Sequence, residues 1–168
     1  YDAAAMKKQK NIFLIGPPGS GKTLLARSVM SILPPLAEEE ILEVTKIYSV
    51  AGLLSAQKPI VLERPFRSPH HTASTVSIVG GGSWPRPGEI SLAHRGVFFC
   101  DELPEFGRSV LESLRQPLEE HAMMVTRANG SVHYPADILF IGAQNPCPCG
   151  FRDDDKRACT CTAAERAR

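Results

Sequence analysis

The chain has 168 residues, 43% of them hydrophobic and 22% charged, with a formal net charge of +1. That is enough for one domain with a sizeable core, and the near-neutral balance excludes an overall basic field as the basis of nucleic-acid or membrane attachment. No apolar run approaches the ~20 residues of a membrane span, Tyr1-Asp2-Ala3-Ala4-Ala5-Met6-Lys7-Lys8 has no signal-peptide core, and five cysteines point to free thiols in a reducing cytoplasm.

In chain order, Ile12-Phe13-Leu14-Ile15 predicts a strand that runs into Gly16-Pro17-Pro18-Gly19-Ser20-Gly21-Lys22-Thr23, the spacing G-x-x-x-x-G-K-[ST]. Glycines at these offsets let the backbone curl so that successive N–H groups face phosphate oxygens. The lysine then reaches the β- and γ-phosphates, and the hydroxyl after it holds Mg²⁺. Gly16 through Leu24 are the expected ATP-binding residues, with Lys22 also acting in turnover and Thr23 on the metal. An amphipathic helix is expected from Leu24-Leu25-Ala26 to Leu33, its positive dipole end toward the phosphates. The alternative is a glycine-rich turn without a ligand.

Ile60-Val61-Leu62, Pro65-Phe66-Arg67-Ser68-Pro69-His70-His71-Thr72 and the stretch from Ile78 through Gly80-Gly81-Gly82-Ser83-Trp84-Pro85-Arg86-Pro87 to Ile90 read as one irregular segment with a long exposed loop. Long ordered loops in compact domains usually carry function. Gly96-Val97-Phe98-Phe99-Cys100-Asp101-Glu102 predicts a buried parallel strand ending in two acids. Carboxylates at that end belong in a ligand crevice: Asp101 is expected in the Mg²⁺ shell, and Glu102 is placed to polarise a water for attack on the γ-phosphate. A surface Asp-Glu turn leading to Pro104 is the alternative.

Val110, Leu111, Leu114 and Leu118 predict one core-packing helix over 109–119, weakened in its last turn by Pro117. Met123-Met124-Val125-Thr126-Arg127 and Ser131-Val132-His133-Tyr134, joined by Ala128-Asn129-Gly130, predict a hairpin. Ile138 to Gln144 predicts a third sheet strand. Asn145, at its tip, is placed to orient the attacking water and sense the γ-phosphate, unless it only starts the Asn145-Pro146 turn.

Cys147-Pro148-Cys149 and Cys159-Thr160-Cys161 put four thiols into 15 residues, enough for a tetrahedral Zn²⁺. C-x-C is poorer geometry than C-x₂-C, and reduced, metal-free cysteines in a loop are the alternative. Cys100 reads as a small core residue. The Pro69 turn favours a structural role for His70 and His71, since no acid stands at ligand spacing. Trp84 suits either stacking on a base or packing against Pro85 or a neighbouring subunit. The chain lacks Met at position 1 and stops in helix-like Ala163-Ala164-Glu165-Arg166-Ala167-Arg168, so it reads as an excised fragment.

These strings together, with Arg64-Pro65-Phe66-Arg67-Ser68-Pro69-His70-His71, Pro87-Gly88-Glu89-Ile90-Ser91-Leu92-Ala93-His94-Arg95-Gly96 and Gln144-Asn145-Pro146-Cys147-Pro148-Cys149-Gly150, resemble the magnesium-chelatase-like AAA+ ATPases of the YifB/ComM branch from about Asn11 onward. The resemblance implies an α/β, three-layer P-loop fold with a parallel sheet of strand order 5-1-4-3-2. It implies one partial AAA+ domain over 1–168, its last strand and lid missing, with β-hairpin insertions and a Cys-rich loop at 146–162. Gly16 to Thr23 match the Walker A loop, Val97 to Glu102 Walker B, and Asn145 sensor 1. The Arg127–Tyr134 hairpin and the Gly80–Glu89 insert resemble elements that face the pore of a homo-hexameric ring. ComM-type proteins are DNA branch-migration helicases of natural transformation, and the resemblance implies that role. The alternative is a magnesium chelatase motor subunit, against which Cys147-Pro148-Cys149 speaks. A sigma-54-type activator would carry Gly-Ala-Phe-Thr-Gly-Ala where Gly80-Gly81-Gly82-Ser83-Trp84 stands. A nucleotide-gated assembly module without turnover is opposed by intact Glu102 and Asn145.

Overall fold

The computed structural model describes residues 11–82, 84–127, 130–152 and 157–166. Strand β1 (Ile12–Ile15) leads through the glycine-rich turn into helix α1 (Lys22–Ser28), which tightens into a 3-10 turn at Val29–Ser31 instead of running evenly to Leu33. Helix α2 (Glu38–Val50) follows, its first turn carrying Glu38, Glu39 and Glu40, and the Glu40 carboxylate accepts from the Ala37 N–H at 3.1 Å. Acids at that end satisfy amide donors that have no helical acceptor.

The segment expected to be irregular contains regular structure. It holds a two-residue strand β2 (Phe66–Arg67), helix α3 (Thr75–Val79), a ribbon of β3 (Gly80–Gly81) and β4 (Arg86–Pro87), and helix α4 (Glu89–Leu92). Among the described residues of the glycine-rich loop, Gly82, Trp84 and Arg86 are exposed, while Ile78, Gly80, Pro87, Gly88 and Ile90 are buried. A Cβ on Gly88 would collide with the Ile78 carbonyl, so glycine here lets the two sides of the ribbon close up. Ser83 lies outside the described residues.

Strand β5 (Val97–Cys100) leads to a 3-10 turn at Leu103–Glu105, and helices α5 (Arg108–Ser113) and α6 (Arg115–Glu120) replace the single expected helix. The break at Leu114 has a local cause. Pro117 has no N–H to offer the Ser113 carbonyl, and its ring crowds that oxygen. Strands β6 (Ala122–Arg127) and β7 (Gly130–Pro135) form the expected hairpin, Arg127 paired with Gly130. Ala128 and Asn129 of its turn, and the Arg127 side chain, lie outside what is described. Strand β8 (Leu139–Gln144) and the short helix α7 (Ala163–Arg166) complete the chain.

The main sheet is parallel, in the order β1-β8-β5-β2. This is the 1-4-3-2 portion of the expected order; no fifth strand joins it among the described residues. Alternation along β5 sets the layers. Val97 and Phe99 pack with Ala26, Ile141 and Ala143 on the α1 face, while Phe98 and Cys100 pack with Ile78, Ile90, Val110, Leu114, Met123 and Phe140 on the other. Both sheet faces are covered, which is why the Val97–Cys100 run is apolar without interruption. Burial also pushes the Cys100 thiol up to about 12, in keeping with a core residue.

Charged residues of the characteristic strings brace this core. Arg64 donates to the Pro34, Pro35 and Arg95 carbonyls and to Glu40, and Arg67 makes a two-pronged contact with Glu89 at 2.6 Å on each arm. The hydrogen bond to Glu89 holds the Arg67 guanidinium above its ordinary value. His94 is buried between elements: its Nδ1 accepts from the Asp137 N–H at 3.0 Å, so in the neutral ring Nε2–H donates to Glu43, 3.1 Å away. Burial pushes the His94 imidazole below its ordinary 6.5, outweighing the pull of Glu43. For Glu43 burial acts upward, but Arg95 and His94 together bring its carboxyl below 4.5.

Candidate phosphate-binding site

A parallel sheet gathers the carboxyl ends of its strands along one edge, the place where open α/β sheets take ligands. Here that edge collects residues far apart in sequence: the glycine-rich turn after β1, Asn145 after β8, Asp101 and Glu102 after β5, and His71 beyond β2. Register fixes the match, since Ile15 pairs with Gln144 and the Gly16 N–H donates to the Gln144 carbonyl at 3.3 Å.

The turn has the shape its spacing implies. Gly19 and Gly21 adopt φ of 78° and 84°, left-handed values natural to glycine, and the Ser20 N–H closes on the Pro17 carbonyl at 3.2 Å. Helical bonding begins at the Leu25 N–H, which donates to the Gly21 carbonyl at 2.8 Å. The amides ahead of it, through Leu24, therefore have no acceptor within the helix and suit an anion. Lys22 Nζ folds back over the turn, donating to the carbonyls of Gly16 (2.8 Å) and Pro17 (3.0 Å) and to Asn145 Oδ1 (3.2 Å). All three acceptors are neutral, so an anionic phosphate oxygen would compete well for the ammonium.

Thr23 Oγ1 donates to Asp101 Oδ2 at 2.8 Å, and Asp101 Oδ1 accepts from the Glu102 N–H at 3.0 Å. A hydroxyl and a carboxylate meeting next to the turn form a hard-oxygen pair that fits Mg²⁺. Glu102 has φ of 53°, an uncommon conformation for a residue with a side chain. Its carboxylate is half exposed and reaches His71, with Oε2 3.3 Å from Nδ1. Sequence reasoning missed this partner. The two residues are 31 positions apart, and β2, just ahead of His71 and between Pro65 and Pro69, is too short to announce itself. His70 lies against His71 with ring centroids 4.1 Å apart and the planes tilted by 35°, and its Nδ1 is 2.8 Å from Thr72 Oγ1.

The two insertions pack together. The hairpin sends Met123, Val125 and Tyr134 into the core, an alternation its sequence did not suggest, and the Tyr134 hydroxyl donates to the Pro85 carbonyl at 2.8 Å. Trp84 stays 69% exposed and Arg86 is exposed beside it. Cys147, Cys149, Cys159 and Cys161 come together, with every Sγ within 4.8 Å of the others. Among the described residues no helix is long and apolar enough to cross a membrane.

A family model described as "Magnesium chelatase, subunit ChlI" matches residues 3–168. The chain is 49% identical over 150 residues to YifB of Salmonella typhimurium, covering 89% of this chain and 29% of that protein. It is 47% identical over 143 residues to the competence protein ComM of Haemophilus influenzae, covering 84% of this chain and 28% of that one. It thus spans under a third of the curated relatives it matches. A crystal structure of NtrX from Brucella abortus in complex with ADP superposes with a TM-score of 0.54 at 18% identity, over 84% of this chain and 26% of that one.

Proposed function

This chain belongs to the magnesium chelatase, subunit ChlI, family, and we propose that it is the ATP-binding and hydrolysing core of a cytoplasmic AAA+ motor. The observation that carries the reading is the convergence of Lys22, Thr23, Asp101, Glu102 and Asn145 at one edge of a parallel sheet. The ADP bound to NtrX, which shares the fold, supports a nucleotide as ligand.

In this reading the amides of Gly19 to Leu24 cradle the phosphates, with Gly16, Pro17 and Pro18 shaping the turn, and Lys22 trades its carbonyl contacts for the β- and γ-phosphates. Thr23 and Asp101 would hold Mg²⁺, which when bound neutralises developing phosphate charge. Glu102 accepts a proton from water as the water oxygen bonds to the γ-phosphorus. The bond from that phosphorus to the bridging oxygen breaks, and ADP leaves with the electron pair. The Asn145 amide orients the water, and His71 positions Glu102. A four-thiol ligand set suited to Zn²⁺ adjoins this site.

We further propose that the full-length protein is a homo-hexameric DNA branch-migration motor. Its likeness to a competence protein supports this, as does the joined ribbon and hairpin presenting exposed Trp84 and Arg86. An indole stacks on bases of any sequence and cations engage phosphates, so attraction rests on locally clustered charge rather than the net charge of +1. The test is ATP hydrolysis and branch migration by the full-length protein with and without branched DNA. Stimulation by DNA, weakened with a flatter salt slope in Arg86→Ala/Arg127→Ala, is expected. Branch migration at the wild-type rate by that double variant would contradict the pore assignment. Remodelling of a protein or porphyrin partner with no response to DNA would favour the chelatase-type reading, to which the family's description points.

A further inference from the structure

The cysteine cluster lies outside the phosphate chemistry but touches its scaffold. Cys147 and Cys149 Sγ are 3.4 Å apart, Cys147 and Cys159 3.8 Å, and Cys149 and Cys159 3.6 Å. Zinc–sulfur bonds of ~2.3 Å in a tetrahedron require sulfur–sulfur edges of about 3.8 Å. The thiols therefore sit at the spacing of a mononuclear all-sulfur site. They are too far apart for disulfides, and a cluster of several irons would hold its thiolates further apart still.

The surrounding backbone suits thiolates. The Cys149 N–H donates to Cys161 Sγ at 3.3 Å, and Cys149 Sγ accepts from the Phe151 and Thr160 amides. Such N–H donors orient metal ligands and offset their charge. The poor geometry expected of C-x-C is overcome by a tight turn. Gly150, at φ of 82°, donates its N–H to the Cys147 carbonyl at 2.9 Å and folds the two sulfurs onto one side. Thr162 and Glu165 then cap α7 immediately after Cys161, fixing where the chain leaves. Of the four cysteines only Cys147 is buried, so no apolar core gathers these thiols, whereas a metal bond would.

The same turn seats against the phosphate loop. A Cβ on Gly150 would lie 2.6 Å from Pro18 Cδ and 3.8 Å from Asn145 Cγ, so the buried Gly150 backbone packs on Pro18 with Asn145 next to it. Asn145 in turn holds Lys22.

We propose that Cys147, Cys149, Cys159 and Cys161 bind one structural Zn²⁺, and that this knuckle braces Pro18 and Asn145 so that metal occupancy sets the site's affinity for nucleotide. The second half rests on the phosphate-site reading above. On binding, four thiols release four protons and give a tetrathiolate zinc centre with no change of oxidation state.

The test uses full-length protein. Elemental analysis should find one zinc per chain, and replacement with Co²⁺ should give thiolate-to-cobalt charge transfer with the strong visible bands of a tetrahedral centre. Neither readout depends on a variant folding. Cys159→Ser/Cys161→Ser should lose the metal. Removing zinc from the wild-type protein should weaken ADP binding, measured by calorimetry, roughly 5- to 150-fold, the usual span of coupling between two sites. Absence of stoichiometric zinc, iron in its place, a cobalt spectrum without charge transfer, or ADP affinity unmoved by metal removal would each overturn the proposal. Lys22→Ala should abolish nucleotide binding yet keep one zinc per chain, which separates failure of this site from failure of the phosphate-site reading.

Discussion

His71 illustrates how much a single contact adds at the residue scale. Its imidazole is the described partner of the Glu102 carboxylate, and Glu102 holds a left-handed backbone that needs support from its surroundings. A base is effective only within hydrogen-bond reach of its water, so a residue that fixes its direction acts on turnover and not on binding. His71→Ala should therefore lower kcat about tenfold, less than the ~10²–10⁴-fold a positioned base supplies, with ATP affinity unchanged. Steady-state kinetics beside calorimetry separates the two; loss of affinity at unchanged kcat would make His71 a binding residue instead. Residues whose placement follows from local spacing were legible from sequence: Lys22 and Thr23 by their offset from Gly16, Asp101 and Glu102 by ending an apolar strand, and all four lie at the same sheet edge. His71 was not legible, because its role exists only once two strands lie side by side.

Elements were legible where their period was long enough to register. β8 follows its apolar run and the β6–β7 hairpin was marked by Asn129-Gly130 between β-rich runs, whereas β2 has only two residues and is recruited by pairing Phe66 with Val97. The α5–α6 break came from a proline acting four residues upstream, and the ribbon was hidden by glycines whose value lies in backbone contact. The strings richest in charge turned out to join elements: α2 is held to the entry of β5 through Glu43, His94, Arg95 and Asp137. This joint makes stability depend on pH. His94 has its folded value below 6.5, so as pH falls the unfolded chain takes its proton first, and stability drops from about pH 6.5 downward. Glu43, also lowered, adds stability present above 4.5 and lost as pH falls through its folded value, so both groups act with the same sign. The melting temperature should fall between about pH 7 and pH 5, by roughly 2–4 °C for each kcal/mol lost in a chain of this size. His94→Asn, with no titrating group, should flatten that decline even if it lowers the whole curve, and an equally steep decline in the variant would assign the effect elsewhere.

Taken whole, the molecule is a parallel sheet that turns four distant loops into one edge, with a thiol knuckle behind it and a joined ribbon and hairpin among its insertions. The strand order came from the family resemblance, not from the pattern of apolar residues, and the sheet shows its 1-4-3-2 portion among the described residues. The packing of the knuckle on Pro18 was not legible, since nothing in Cys-Pro-Cys spacing states what a turn will rest against. We propose that this edge binds ATP through Lys22 and hydrolyses it through Glu102. This is tested most directly by single-turnover hydrolysis with the full-length protein, alongside nucleotide affinity, for wild type, Lys22→Ala and Glu102→Gln. Lys22→Ala should lose nucleotide affinity, and Glu102→Gln should bind ATP like the wild type while hydrolysing it at least ~10²-fold more slowly. Wild-type turnover in Glu102→Gln, or undiminished nucleotide affinity in Lys22→Ala, would contradict these roles for the two residues.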